Sequence, residues 1–214
     1  MSLDFNYFTK KFPRSAQLSV PRVAQADLYL ERLPPAWTAE LSSDKLGGYS
    51  QGLLWLTDPT EYVPAVAEWL EKAGIPDPEK FSVIARSAFG DLYLWEKSSG
   101  PTVIIHSLSG SIVTQPADQD VLDGDEDFAL EGFLVSLDKE GLDFFDINDK
   151  PLFKRAVAKL GTLAADEMYG FEPALPIGGL PKLENLTKVK IAAHLSLLAQ
   201  LTDIEITHID VDNS

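Results

Sequence analysis

The 214 residues are 45% hydrophobic and 10% aromatic and include no cysteine, which allows a sizeable core and excludes a disulfide framework, a thiolate nucleophile and a cysteine-built zinc site. Eighteen basic against 33 acidic residues give a net charge of −15, so nucleic acid and anionic membrane surfaces are excluded as expected ligands, while a basic protein partner would be attracted. No window approaches the ~18 apolar residues of a membrane span, and an acid and an amide stand at Asp4 and Asn6 where a secretory signal carries bases, so the expected location is cytoplasmic.

The first predicted element is a short amphipathic helix, because Phe5, Phe8 and Phe12 recur at helical spacing before Pro13 stops it. Pro21 opens a second predicted helix to about Arg32, Leu33-Pro34-Pro35 breaks it, and a short helical piece follows from Trp37 to Leu41, closed by Gly47-Gly48. Gly52 to Thr57 is an apolar run of the kind that forms a buried strand. Asp58-Pro59-Thr60-Glu61 then supplies a cap, a first-turn proline and an acid three residues after the cap, which predicts a helix over 59–73. Its apolar face is Tyr62, Val66, Trp69 and Leu70, and Gly74 ends it. The stiff connector 75–79 is the expected internal boundary.

Beyond it the period becomes that of strands. Phe81, Val83 and Ala85 alternate, Ala88 to Asp91 forms a turn, and Leu92–Trp95, Thr102–His106 and Ile112–Gln115 are three further runs. With such short connections the four are expected to make an antiparallel meander. A helix is predicted from about Glu126 to Leu137, a second after Asn148 to Pro151 carrying Leu152, Phe153, Ala156, Val157 and Leu160, and a final helix, or strand plus helix, over 188–201. The last one has apolar residues all round and is expected to be buried on most sides. The predicted fold class is therefore α+β, with a mostly helical N-terminal segment packed on a C-terminal unit of antiparallel sheet and helices. The expected division is 1–76 and 80–207, which could form one cooperative unit.

A search for chemistry finds little. His106, His194 and His208 have no zinc or triad spacing and read as structural. Gly178-Gly179 reads as a turn, since it fits neither a dinucleotide nor a phosphate-loop pattern. Asp118 to Asp127 offers closely spaced carboxylates but fails the calcium-loop pattern from either possible start, because Ala129 or Leu134 stands where the final glutamate is required. Asp166, Glu167 and Glu172, in a segment read as irregular, are the only carboxylates considered for acid–base work. No metal and no cofactor are expected.

Charge distribution carries more information. From Asp118 to Asp146 there are eleven acids against one base, Lys139. Asp118, Asp120, Asp123, Asp125, Glu126, Asp127 and Glu131 are accordingly the candidate partner-binding residues, weighed against a plain solvated loop and helix start.

Two stretches support a resemblance. Gly52 to Leu70 resembles the end of a GAD-like domain. Ala88 to Leu92, Asp149 to Phe153, Leu160-Gly161, Asp166 to Leu175, Gly178-Gly179 and Leu183 to Leu186 are similar to the domain of bacterial immunity proteins that accompany type VI secretion DNase effectors. Together the stretches span about Phe5 to Leu201, departing from the family pattern at Pro176-Ile177. The resemblance implies a non-enzymatic protein that binds and neutralises a cognate, basic nuclease toxin in the producing cell. The alternative is a protein-interaction module similar to SMI1/KNR4-like adaptors, with a non-toxin partner.

Overall fold

A computed structural model describes residues 5–19, 29, 31–41, 43 and 45–209. Helix α1 (Phe5–Lys11) is followed by strand β1 (Arg14–Ser19), helix α2 (Pro35–Leu41), β2 (Gly47–Tyr49), β3 (Leu54–Leu56) and α3 (Val63–Ala73). Then come β4 (Phe81–Ser87), β5 (Leu92–Glu96), β6 (Gly100–His106), β7 (Ser111–Thr114), α4 (Gln119–Leu122), α5 (Glu126–Ser136) and α6 (Phe153–Leu160). The chain finishes with β8 (Glu167–Phe171), β9 (Leu186–Lys190), α7 (Ile191–Leu201) and β10 (Glu205–His208).

One eight-stranded sheet, ordered β1-β2-β3-β4-β5-β6-β7-β10, organises the molecule. Neighbours are antiparallel from β1 through β7, and β10 adds in parallel to β7. The expected meander is present as β4 to β7. It is the middle of something larger, however, and the expectation of a mostly helical N-terminal segment is overturned. Three strands of the sheet, β1 to β3, come from that segment, and β3 pairs directly with β4 across the 75–80 connector. The reason is tertiary. Gly47-Gly48, read as the stop of a helix, is β2, and a Cβ on Gly47 would lie 2.3 Å from the Leu18 carbonyl oxygen, so the absence of side chains permits the close approach to β1. Strand β1 exposes four of its six residues and carries no clear apolar alternation in sequence. The helix expected from Pro21 lies outside the described residues apart from its last turn, where the Arg32 amide donates to the Tyr29 carbonyl at 3.0 Å.

Helix α3 forms as its caps dictate. Asp58 accepts from the Thr60 amide at 2.9 Å, Pro59 to Tyr62 make a 3-10 turn, and Gly74 closes the helix in the left-handed region at φ 73°. Val66, Trp69 and Leu70 are buried.

Strand β4 is buried along 82–87 without alternation, so both faces of the sheet are covered. Adjacent residues on a strand point to opposite faces, which locates the layers. Arg86 reaches Tyr62 at the start of α3, whereas its neighbour Ala85 pairs with Tyr93, whose ring lies 5.8 Å from that of Phe133 on α5. One layer is α3 with α7, joined by the Trp69 indole N–H donating to the Leu195 carbonyl at 3.1 Å and by Lys72 Nζ donating to Ala199 O at 2.7 Å. The other is α5 with α1 and α2, tied by Lys11 Nζ to the Val135 carbonyl at 3.0 Å and by the Ala36 amide to Asp127 at 2.9 Å. Trp55, Trp69, Phe89, Trp95 and Phe153 are all buried. Helix α7 is not buried on most sides as its composition suggested: Ile191, His194, Leu195, Leu198 and Ala199 face inward, while Leu197 and Leu201 are exposed.

Candidate functional site

The segment Asp166 to Leu175, read as irregular, contains strand β8, paired with β9 and docked on the large sheet where the Tyr169 amide donates to the Ala88 carbonyl at 2.9 Å. Phe89, Phe144, Phe171, Tyr169 and Phe153 form a chain of ring contacts at 5.6 to 6.3 Å. The Tyr169 hydroxyl donates to the Gly161 carbonyl at 2.6 Å, and burial pushes its pKa up to about 12. Gly90 and Gly170 lie close against neighbouring side chains. A Cβ on Gly90 would meet Met168 at 2.4 Å, and one on Gly170 would meet His194 at 2.7 Å. Two carboxylates of this segment are engaged by neighbours. Asp166 is bound to Lys190 at 2.5 Å, which holds its carboxyl below the usual range, and Glu167 accepts from the Ala164 amide at 2.8 Å. Glu172 is exposed.

Arg86 is fully buried with no carboxylate within ion-pair distance among the described residues. Its charge is met by dipoles and a ring instead. Nε donates to the Tyr62 hydroxyl at 2.9 Å, Nη2 to the Ala165 carbonyl at 2.8 Å, and the guanidinium lies 4.5 Å from the Trp55 ring centroid. It thereby ties the N-terminal strands to the block beginning at Ala165, a role that no local sequence pattern signals.

The acids of 118–146 divide by what their oxygens do. Asp118 caps α4 by accepting from the Asp120 amide at 2.9 Å, and Asp125 caps α5 by accepting from the Phe128 amide at 3.2 Å. Asp127 accepts from the Ala36 amide at the start of α2, and Asp123 accepts from Gln119 Nε2 at 2.9 Å. Asp143 takes three backbone amides, of Phe144, Leu152 and Phe153, and Asp146 binds Arg155 at 2.5 Å. Asp120, Glu126 and Glu131 hold no side-chain hydrogen bond or ion pair among the described residues. The candidates Asp118 to Asp127 do come together, around the α4–α5 turn, where the Asp125 amide donates to the Asp120 carbonyl at 2.8 Å. Asp120 feels this crowding: partial desolvation and the charges of Asp118, Asp125 and Asp123 raise its carboxyl above the ordinary value. No group of three or more metal-ligating side chains is arranged around an ion site among the described residues.

Two features of this face were not foreseen. Leu122 and Phe128, flanking the α4–α5 turn, are each 59% exposed. Beside them Asp125, Glu126, Asp127, Lys97, Leu33 and Pro35 line an open cleft of about 330 Å³. Exposed apolar side chains set among carboxylates suit a protein partner better than a small substrate.

The fold is thus an α+β sheet protein whose acidic stretch mixes capping carboxylates with free ones. Comparison with known proteins makes this specific. Residues 127–202 match the family described as T6SS immunity protein Tdi1, C-terminal, and residues 4–109 match the GAD-like domain. The two matches follow the order that the sequence resembles, a GAD-like stretch before one similar to the Tdi1 immunity domain, and they support an immunity role in type VI secretion. The crystal structure of Atu4351 from Agrobacterium tumefaciens has the same fold, with a TM-score of 0.85 over 98% of this chain and 93% of that one at 22% identity. No curated protein matches the chain. Among the described residues no helix is long and apolar enough to cross a membrane.

Proposed function

We propose that the protein is a non-enzymatic, cytoplasmic immunity protein that binds a cognate type VI secretion DNase toxin in the producing bacterium and neutralises it. The observation that carries this reading is the match of 127–202 to the immunity domain, which begins within the acidic face. A DNA-cleaving enzyme must offer cations to phosphates. A surface holding Asp120, Glu126 and Glu131 free of internal partners is a protein substitute for that polyanion. In this reading the carboxylates steer the encounter over a Debye length of ~8 Å at physiological ionic strength. Phe128 and Leu122 supply the apolar contact that holds the complex once formed.

The test is co-expression with the neighbouring nuclease gene, followed by copurification and plasmid degradation with and without this chain. A stable complex that leaves plasmid intact is the expected result. Degradation at full rate with the chain in excess would sink the assignment.

A further inference from the structure

The two edges of the eight-stranded sheet are finished differently. Strand β1 follows Pro13 and pairs with β2 through a register shift between Arg14 and Ser19, and a proline and a bulge are devices that close an edge to further pairing. Strand β10 has neither. Glu205 to His208 run beside Ser111 to Thr114 in unbroken parallel register, and all four are exposed. The Glu205 amide donates to Gly110 O at 3.0 Å and the Ile209 amide to Thr114 O at 2.8 Å. Successive residues of a strand aim their amides and carbonyls to alternate sides, so Ile206 and His208 aim theirs away from β7. Among the described residues no strand pairs with β10 on that side.

Two amides and two carbonyls are thus open to an added strand, and the side chains around them select its chemistry. Ile206 stands in register with buried Ile112 and, through Ile105 and Leu92, with Arg86, which places it on the α3–α7 side of the sheet. Glu205 and Thr207 point to the other side. Asp203 and Glu205 are exposed, and over 191–214 the sequence has four acids and no lysine or arginine. A second copy of the chain would bring these acids together, whereas a cationic segment complements them. We propose that β10 takes up an extended segment of the toxin by strand addition, with lysine or arginine side chains on the Glu205 side and apolar ones on the Ile206 side. This rests on the immunity reading and names a surface that the toxin engages through its backbone.

Amide hydrogen exchange of the full chain, alone and bound to the nuclease of the neighbouring gene, tests it. The Ile206 and His208 amides should exchange freely in the chain alone and at least ~10-fold more slowly in the complex. Ile206→Pro removes one outward donor and no bond to β7, so it should weaken the complex about 10-fold without moving the thermal unfolding midpoint. A complex in which both amides still exchange freely, or one that Ile206→Pro leaves at full affinity, would overturn the proposal and leave the immunity reading standing. No complex at all would overturn both. A chain that sediments by itself as a dimer, and as a monomer with Ile206→Pro, would overturn the proposal by giving this edge to a second copy.

Discussion

Aspartates build two regions of this molecule in opposite ways. In the block around β8, Asp143 and Asp146 turn inward, accepting backbone amides and the Arg155 guanidinium, beneath a chain of aromatic rings. Around the α4–α5 turn, Asp118 and Asp125 are caps as well, but they share the surface with Asp120 and Glu126, which have no such engagement. A count of eleven acids in one stretch therefore overstates the proposed binding face, because capping and turn-making consume part of it. What remains free, together with Phe128, is the part we propose recognises another protein.

The contrast is broken most directly in the core of the first region. Phe171 is fully buried with its ring 5.6 Å from that of Phe144, so Phe171→Ala should destabilise by about 3–5 kcal/mol, measured by denaturant unfolding. A variant of full stability that fails to bind the toxin would make the block an interface instead. The same apparatus tests the domain division. Because the sheet runs from β1 to β10 without interruption and Arg86 bridges Tyr62 to Ala165, we expect one cooperative thermal transition. Two transitions, with protease cutting at 76–79, would establish independent units.

Phe128 should behave in the reverse manner. At 59% exposure its truncation leaves no cavity, so Phe128→Ala should keep its stability to within ~0.5 kcal/mol while costing about 2 kcal/mol of toxin affinity, chiefly in off-rate. Neutralising Asp120, Asp123, Asp125, Glu126 and Asp127 together should instead slow association and flatten its salt dependence. Surface-plasmon kinetics at several ionic strengths separates the two effects. An unchanged on-rate and salt slope would return the acidic stretch to plain solvated surface.

How much of this was legible follows the range over which the determining contacts act. The cap and face of α3 and the turns of the β4–β7 meander are written in neighbouring residues, and they were readable. Strand β1, polar and mostly exposed, and β2, two glycines and a tyrosine, acquire strand identity from their pairing, β1 with β2 and β2 with β3. Strand β10 likewise exposes all four residues and depends on pairing with β7. Glu172 was readable only as a carboxylate in a segment taken as irregular. It follows Phe171, the last residue of β8, where the chain turns out to solvent. The face itself was visible as charge. Which acids are spent on caps required knowing where α4 and α5 begin, and the exposure of Phe128 required knowing what α5 packs against.

A finer test asks whether capping and binding share a residue. Asp127 is a candidate for toxin contact and also accepts from the Ala36 amide. Asp127→Ala should cost about 1 kcal/mol of stability through the lost acceptor at the start of α2, whereas Glu126→Ala should cost nothing measurable. If the two variants unfold alike, the division of the acids into structural and free ones fails at this point.

The smallest expected effect concerns the one polar cluster inside the aromatic block's turn. Asp91 Oδ2 accepts from the Ser87 hydroxyl at 2.8 Å, and Asp91 Oδ1 meets His106 Nδ1 at 3.1 Å. Burial disfavours the charged imidazole, but the hydrogen bond and charge of Asp91 outweigh it, so the His106 pKa is raised. A histidine raised on folding stabilises the native state fully below the unfolded pKa of about 6.5 and loses that contribution as pH rises through the folded value. His194, on α7, is shifted the other way: burial lowers its pKa against a weaker pull from Glu172, so it costs stability as pH falls below about 6.5. The two partly cancel in the wild-type profile, and His106→Gln should expose the difference. Relative to wild type, the variant should lose on the order of 0.5 kcal/mol near pH 6 and less near pH 8, the half-exposed ring being partly screened. A stability gap that stays constant across this range would show that the imidazole contributes only as a neutral hydrogen-bonding group.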